Sequence, residues 1–250
     1  MKILFGTSYY DQSYRYSYGT INRQVCKREW LENVLRNTRQ WLPAGIDTWR
    51  CSTIGTTFGR ILPALSKTHK VIAVELQAHG HTADIDRPLS FEQDANDVVE
   101  LLKQLHIPKA DIFGFSNGAS TTLEIAIRFP ELVNKIIVAS TMYKKAGAYH
   151  WFWDMMAHAT FEGMPQGLKD AYLQINPDTN ALYTMYERDV ARMQSFTDMQ
   201  EEDIKAITAP ALIIAANNDV VTPGTRGRNV SPDAACAVSD IPGRSWRLYG

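Results

Sequence analysis

The stretch Asp111-Ile112-Phe113-Gly114-Phe115-Ser116-Asn117-Gly118 decides which fold this sequence adopts. Its first half is a short β-branched and aromatic run that predicts a buried strand, and a helical pattern follows from Ala119 to Arg128. Between strand and helix stands the pattern G-x-S-x-G. A serine in that setting sits on a sharp, strained turn and projects its hydroxyl from the carboxyl end of the sheet. Glycines are expected two residues to either side, because a Cβ atom there would collide with neighbouring chain.

Ser116 is therefore the candidate nucleophile, and a structural turn serine is the alternative. The backbone N–H of Asn117 is expected to point toward the same spot, where it could stabilise an oxyanion. An alcohol is a poor nucleophile at neutral pH, so it needs a histidine base whose tautomer is fixed by a carboxylate. Asp219 is the candidate acid because it follows the strand-like run Ala211–Ala215, and open α/β sheets place their sites beyond strand ends. A turn or helix-capping aspartate is the alternative.

Strand and helix patterns alternate on both sides of this turn. Strand-like runs occur at Val71–Glu75 and Ile136–Ala139, and the capping-box pattern Ser90–Gln93 opens a helix with one apolar face. Such alternation implies right-handed crossovers. The sequence therefore predicts an α/β fold with a mostly parallel, doubly wound sheet.

Residues 141–210 lack a strand signal and predict a helical insertion. They hold seven of the eight methionines, together with a group of aromatic side chains: Tyr149, Trp151, Phe152, Trp153 and Phe161. Flexible thioethers and flat rings suit an adaptable apolar pocket, which favours a lid that lines a binding site. An ordinary helical core is the alternative.

Residues from about 51 to 223 resemble the α/β-hydrolase superfamily, in its lid-bearing esterase, lactonase and cofactor-free haloperoxidase-like branch. The resemblance rests on the serine turn, on the segment Glu75–His81 and on the segment Asn218–Pro223. It implies the α/β-hydrolase fold and a serine hydrolase acting on a small ester, lactone or related acyl substrate, without metal or organic cofactor. In that comparison Ser116 is the nucleophile, Asp219 the triad acid and the Asn117 N–H one oxyanion donor, with Gly114 and Gly118 the glycines of the turn.

Two catalytic parts of the family pattern are missing. No histidine follows His158, so no triad histidine is identified. The six histidines present are weak substitutes, among which one in the lid is the best placed. The strand ending in His-Gly that supplies the other oxyanion donor is missing too, since Pro43–Arg50 is not strand-like.

The two ends of the chain differ in charge from its middle. Residues 1–50 hold eight basic and four acidic residues, residues 51–223 hold 14 and 21, and residues 224–250 hold four and two. We divide the chain into an atypical N-terminal segment (1–50), a core (51–140 and 211–223), a helical lid (141–210) and an atypical C-terminal segment (224–250). The terminal segments are interpreted either as ordinary surface-rich ends or as non-native or disordered sequence outside the fold.

One hypothesis explains both gaps: the terminal segments are read one nucleotide out of frame. A one-base shift permits Leu-Val-Leu-Ile-His-Gly over Pro43–Arg50 and Gly-His-Gly-Asp-Tyr over Gly243–Tyr249. It also permits Glu-His-Val-Val-Glu-Met over Gly224–Asn229. Tryptophan has the single codon TGG, so Trp49 and Trp246 each force a glycine where the family has one. The chain as written would then be a frameshifted product.

Composition excludes several classes of protein. The 26 Lys and Arg against 27 Asp and Glu give a net charge of −1, so we expect no nucleic-acid partner. No apolar run approaches the ~20 residues of a membrane helix, which predicts no membrane partner and a cytoplasmic location. Three scattered cysteines do not suit a disulfide framework or a zinc site, so we expect no metal. The expected partner is a small ester-like substrate, and the oligomeric state stays open.

Two further function classes remain open. A protein of this fold without a base would be a catalytically inactive protein that binds a small apolar ligand under its lid. A cofactor-free haloperoxidase or a C–C bond hydrolase would use the same scaffold and much of the same site, because one fold hosts several reactions.

Overall fold

The computed structural model describes residues 7–8, 41–48, 52–216, 219–222 and 236–239, which contain a seven-stranded sheet. Its strands are β1 (Thr7–Ser8), β2 (Trp41–Thr48), β3 (Lys70–Glu75), β4 (Ala110–Ser116), β5 (Val133–Ala139), β6 (Ala211–Ala216) and β7 (Cys236–Ser239). They lie in the order β1-β3-β2-β4-β5-β6-β7. Strands β2 to β6 are parallel, whereas β1 and β7 pair antiparallel at the two edges.

Eight α-helices accompany the sheet in the part of the chain that the structure describes. They are α1 (Ile54–Thr57), α2 (Leu62–Leu65), α3 (Phe91–Gln104), α4 (Asn117–Arg128), α5 (His150–Ala157), α6 (Gln166–Ile175), α7 (Thr179–Gln194) and α8 (Glu201–Ala206). Short 3-10 turns lie at Pro130–Leu132 and Lys145–Gly147. Helix α3 begins where the capping pattern predicts it, with Ser90 Oγ accepting from the Gln93 N–H at 3.1 Å.

Helices cover the sheet on both faces because alternate side chains of each strand point to opposite sides. On one face Val74 and Ile112 pack against apolar residues of α3, α4 and α8. On the other, Val71 and Phe113 pack against residues of α1 and α2. The predicted α/β fold with a doubly wound, mostly parallel sheet is therefore confirmed.

Strand β2 corrects one expectation from the sequence. Pro43–Arg50 was expected not to form a strand, but Trp41–Thr48 lies between β3 and β4 inside the sheet. Its pairing with β3 shifts register between Pro43 and Ile46. Such an irregularity tolerates a proline that lacks an N–H, and it also masks the regular alternation that sequence patterns detect.

Strands β1, β2 and β7 fall within the segments 1–50 and 224–250 that the sequence marked as atypical. Residues 224–235 and 240–250 lie outside the described residues, and so do Trp49 and Arg50. The reading-frame hypothesis depends on these positions and stays a prediction.

The segment 141–210 folds into helices α5 to α8, as its pattern predicts. It is inserted between β5 and β6, after the carboxyl end of β5. Helix α8 joins the core beneath the sheet through Ile204, whereas α5 and α7 form a separate apolar cluster that includes Phe152, Met156 and Met193. The inserted helices therefore stand over the end of the sheet where Ser116 lies.

Replacing Gly114 with alanine is expected to destabilise the fold by about 3 kcal/mol or more, because overpacking at a closed site cannot relax. The new Cβ would overlap the Gly118 carbonyl oxygen and Thr122 Oγ1, since α4 crosses β4 at this point. Gly167→Ala is the matched control. Nothing lies within 4 Å of a Cβ at that helical position, so the change should stabilise by about 0.4–1 kcal/mol. Urea unfolding of both variants checks the pair, and equal stabilities would contradict the expectation.

Candidate functional site

Ser116 occupies the sharp turn that the sequence predicts. It is the last residue of β4 and the residue before α4, with φ 53° and ψ −119°. Non-glycine residues rarely adopt a positive φ, and such a conformation costs about 1–3 kcal/mol that the surroundings must hold in place. Ser116 lines the cavity beneath the lid. A strained serine at the end of a central strand, open to a cavity, is the arrangement that a nucleophile requires.

Asn117 follows Ser116 and is the first residue of α4. Its backbone N–H belongs to the first turn, where helix N–H groups have no partner within the helix. That makes the N–H available to an oxyanion beside Ser116. The Asn117 side chain is buried at 6% exposure and donates from Nδ2 to Asp189 Oδ1 at 3.4 Å.

Asp219 lies just beyond β6, on the same edge of the sheet as Ser116. Its Oδ2 accepts a hydrogen bond from Ser140 Oγ at 2.5 Å. Ser140 directly follows β5, and the register pairs Phe115 of β4 with Ala139 of β5. Ser116 and Ser140 are therefore the next residues along two adjacent strands, about 5 Å apart. The two residues that the sequence assigned to one site lie at the same end of the sheet, one on β4 and one just beyond β6, with β5 between these strands.

A cavity of about 270 Å³ opens above Ser116. Its floor carries hydroxyl groups, of which Ser120 Oγ and Thr141 Oγ1 lie 2.8 Å apart. Its walls come from the inserted helices and their loops and are mainly apolar, including Met142, Phe152, Met155, Met156, Met164, Leu168, Val190 and Met193. The methionine-rich segment therefore lines a pocket over Ser116, and its role as a lid stays a prediction.

All six histidines of the sequence lie in the part of the chain that the structure describes, and none of them hydrogen-bonds Ser116 Oγ there. His158 is on the cavity wall, but its Nδ1 donates to the Asp154 carbonyl at 2.8 Å. His79 and His81 belong to the turn after β3. Among the described residues, therefore, no histidine forms a hydrogen bond with the serine hydroxyl.

The turn after β3 is organised by a buried carboxylate. Glu75 accepts hydrogen bonds from the backbone N–H groups of Ile54 and His81, at 3.2 and 2.8 Å, and from His81 Nδ1 at 2.9 Å. Gly80 has φ 52°, and a Cβ there would overlap the Glu75 carboxylate. The segment Glu75–His81 thus joins the loop before α1 to the sheet, a structural role.

A buried cluster of charges beside Asn117 was not predicted from the sequence. Asp189 and Arg192 of α7 form an ion pair, and Arg192 Nη1 also donates to Asp94 Oδ2 of α3 at 2.7 Å. His79 Nε2 lies 3.5 Å from Asp189 Oδ2. Two features of the sequence could have indicated this cluster. Asp189 and Arg192 are three residues apart on a helix, and His79 lies in a turn.

The surroundings of His79 in this cluster favour its protonated, imidazolium form. Its Nδ1 lies 2.8 Å from the Gln77 carbonyl, which can only accept, so this nitrogen carries a proton. Its Nε2 faces the Asp189 carboxylate, which favours a second proton. Burial lowers the pKa of His79, but the charge and hydrogen bond of Asp189 outweigh it and raise the pKa above its usual value. Burial raises the pKa of Asp94 to about 6, against the opposing charge of Arg192.

Two kinds of site are absent from the described residues. No group of three or more His, Cys, Asp or Glu side chains there is arranged to hold a metal ion. None of the helices in that part of the chain combines the length and the apolar character needed to cross a bilayer.

A sequence model described as the alpha/beta hydrolase fold matches residues 42–168, just over half of the chain. The match begins within β2, earlier than residue 51, where the sequence suggested that the resemblance starts. Serine hydrolase BPHL of Homo sapiens is 26% identical over 188 residues, which cover 67% of this chain and 60% of that protein. 3-Oxoadipate enol-lactonase 2 of Acinetobacter baylyi is 38% identical over 81 residues, covering 32% and 30%.

Solved structures share the architecture. A meta-cleavage product hydrolase from Pseudomonas fluorescens matches with a TM-score of 0.57 and 19% identity, over 75% of this chain and 76% of the other. At that identity the match concerns the fold. The chain spans less than two thirds of the length of the two curated relatives named above.

The charged state of His79 predicts a pH dependence of stability. A group whose pKa is raised on folding stabilises below its unfolded pKa, about 6.5 for histidine, and loses that contribution as the pH rises through the folded pKa. The free energy of unfolding should therefore fall as the pH rises above 6.5, by at most about 1.4 kcal/mol per pH unit for this one proton. Asp94, whose pKa is raised to about 6, contributes a slope in the same direction, and this slope is mostly lost above about pH 7.

Denaturant unfolding of the wild type and of His79→Gln between pH 6.5 and 9 measures this contribution. The variant should lose the slope assigned to His79. An identical pH dependence in both proteins would contradict the imidazolium assignment.

Proposed function

Since the chain belongs to the alpha/beta hydrolase fold family, we propose that it is a serine hydrolase of small esters, lactones or related acyl compounds. The observation that carries this proposal is Ser116 at a positive-φ strand-to-helix turn, open to an apolar cavity. In this proposal Ser116 Oγ loses its proton and attacks the acyl carbonyl, the Asn117 N–H stabilises the oxyanion, and the ester C–O bond breaks as the alcohol takes up a proton and leaves. Water then hydrolyses the acyl–Ser116 bond, which releases the acid and restores the hydroxyl.

Asp219 is the proposed acid that orients and stabilises an imidazolium. Its hydrogen bond with Ser140 supports this role, because the carboxylate is held one strand away from the nucleophile. The second oxyanion donor of the family follows the strand that corresponds to β2. Thr48 of β2 pairs with Ser116, so the loop after this strand begins beside the nucleophile. Residues 49–51 of that loop are not among the described residues.

The size and lining of the cavity support a small, mainly apolar substrate. Its volume of about 270 Å³ lies just below the usual range for ligand pockets of 300–1,000 Å³. The lid helices provide methionine and aromatic side chains, which adapt to different apolar shapes. The names of the relatives, a serine hydrolase and an enol-lactonase, agree with an ester-like or lactone substrate.

The missing base limits turnover in the chain as written. Removing the histidine of a serine triad costs about 10⁶ in kcat, which leaves roughly 10³–10⁴ over the uncatalysed reaction from binding and oxyanion stabilisation. We expect slow turnover that still depends on Ser116.

p-Nitrophenyl acetate hydrolysis tests the nucleophile. Ser116→Ala should abolish the slow enzymatic rate and labelling by a fluorophosphonate, because both need the same hydroxyl. Ser66→Ala is the control, since Ser66 lies at the end of α2 with its hydroxyl bonded to the Pro63 carbonyl at 3.3 Å. Equal rates and equal labelling in wild type and Ser116→Ala would show that Ser116 is not the nucleophile.

The size limit of the cavity gives a separate prediction. Val190→Trp places a large ring in the cavity wall on α7, so hydrolysis of a p-nitrophenyl hexanoate should fall about tenfold relative to the acetate, as when a pocket is shortened by a few methylenes. Tyr183→Trp is the matched control on the same helix, because Tyr183 is 49% exposed and outside the cavity. An unchanged hexanoate-to-acetate ratio in Val190→Trp would contradict acyl binding in this cavity.

One specific observation favours a second candidate function. Because no histidine reaches Ser116 among the described residues, the cavity could serve a protein that binds a small apolar ligand without turning it over. Ligand binding that survives Ser116→Ala, together with no Ser116-dependent hydrolysis in the wild type, would favour this function. The reading-frame hypothesis is decided separately, by the nucleotide sequence of the gene and the intact mass of the protein.

A further inference from the structure

We propose that Asp189, on lid helix α7, is a positioning residue that holds the nucleophile turn through the side chain of Asn117. The inference rests on the proposed function in one respect, the role of the Asn117 N–H as oxyanion donor. It adds a physical link between the lid and the turn that carries Ser116.

The link is a hydrogen bond between two buried side chains that are far apart in sequence. Asn117 Nδ2 donates to Asp189 Oδ1 at 3.4 Å, and both residues line the cavity. The acceptor is a carboxylate, and an ionised acceptor strengthens a hydrogen bond relative to a neutral one. Because Asn117 directly follows the strained Ser116, a hold on its side chain restrains the orientation of its backbone N–H as well.

Asp189 is itself fixed by the buried charges around it. Arg192, one turn further along α7, pairs with Asp189 and reaches Asp94 of α3 at 2.7 Å. The Arg192 guanidinium also lies over the Phe91 ring at 5.2 Å. The His79 imidazolium faces the other carboxylate oxygen of Asp189. The lid residue that holds Asn117 is thereby tied to the core helix and to the turn after β3.

The hydrogen bond between Asp189 and Asn117 matters because the neighbouring Ser116 has a strained backbone. A positive φ at a non-glycine residue persists only where surrounding contacts determine it. On one side Gly114 lets α4 approach β4 closely. On the other side, Asp189 of α7 restrains Asn117, the first residue of α4, by accepting a hydrogen bond from its side chain. Loss of the Asp189 contact should loosen the turn while the sheet and the body of α4 stay folded.

If the charge cluster only stabilised the fold, loss of either carboxylate partner of Arg192 should affect the turn equally. Replacing Asp94 therefore distinguishes a general structural role from a specific role of Asp189 at the turn. Asp94 is the other carboxylate partner of Arg192, is similarly buried and has no hydrogen bond to Asn117. Asp94→Ala and Asp189→Ala each leave Arg192 with one carboxylate. Only Asp189→Ala also removes the acceptor of Asn117 and the carboxylate that faces His79. Asn117→Ala removes the same hydrogen bond from the other side and leaves all four charged groups in place.

Hydrogen exchange of the peptide that covers residues 114–122 tests the proposal on the full chain. Amide exchange in this peptide should become about tenfold faster or more in Asp189→Ala and in Asn117→Ala, the effect of losing about 1.4 kcal/mol of local stability. In Asp94→Ala it should stay within about twofold of the wild type. Asp189→Asn, which keeps an acceptor oxygen, should restore most of the protection. Should Asp189→Ala fail to fold, Asn117→Ala and Asp189→Asn provide the comparison with Asp94→Ala.

The proposal is overturned if exchange at the turn is unchanged in Asn117→Ala, or if Asp94→Ala accelerates it as much as Asp189→Ala does. Fluorophosphonate labelling of the same variants adds the chemical consequence, a rate about tenfold lower in Asp189→Ala at equal folded fraction. If the wild type itself is not labelled, the proposed hydrolase function fails. The exchange comparison then still decides whether Asp189 holds the turn.

Discussion

The site depends on how closely helix α4 approaches strand β4. Gly114 has no side chain, so the Gly118 carbonyl and Thr122 can pack directly against the strand. This close approach leaves one residue, Ser116, to turn the chain from strand to helix, which it does at φ 53°. Ser116 and the next residue, Asn117, consequently both line the same cavity. The proposed nucleophile and the proposed oxyanion donor are thus placed by backbone geometry.

The inserted helices both enclose the cavity and contribute buried charges beside it. Their methionine and aromatic side chains close the cavity, while Asp189 and Arg192 bring two charges into the contact between lid and core. Buried ion pairs cost much of what they gain, because both groups lose their water. A hydrophobic contact of similar size could hold the inserted helices as strongly as the ion pair does. It would lack the directional hydrogen bond from Asn117 to Asp189 that positions the Asn117 side chain. The charges instead specify where α7 sits over the turn.

Local patterns in the sequence predicted strands β3 to β6, helices α3 and α4 and the serine turn, because each reflects a periodicity or a glycine requirement within a few residues. Strand β2 was missed since its proline and its register shift remove that periodicity, and its position comes from pairing with two neighbours. The sequence itself shows that no histidine follows His158. The charge cluster was not, because its members are separated by up to about a hundred residues along the chain.

The sequence by itself determined the fold class, the serine at the turn and the aspartate after β6. Those features follow from short-range rules about which residues suit a strand, a helix or a tight junction. Only the tertiary structure decided that Asp219 is held by Ser140 one strand from the serine, and that His79 is buried against Asp189. Both depend on contacts between segments distant in sequence, which form only once the sheet register and the packing of the lid are set.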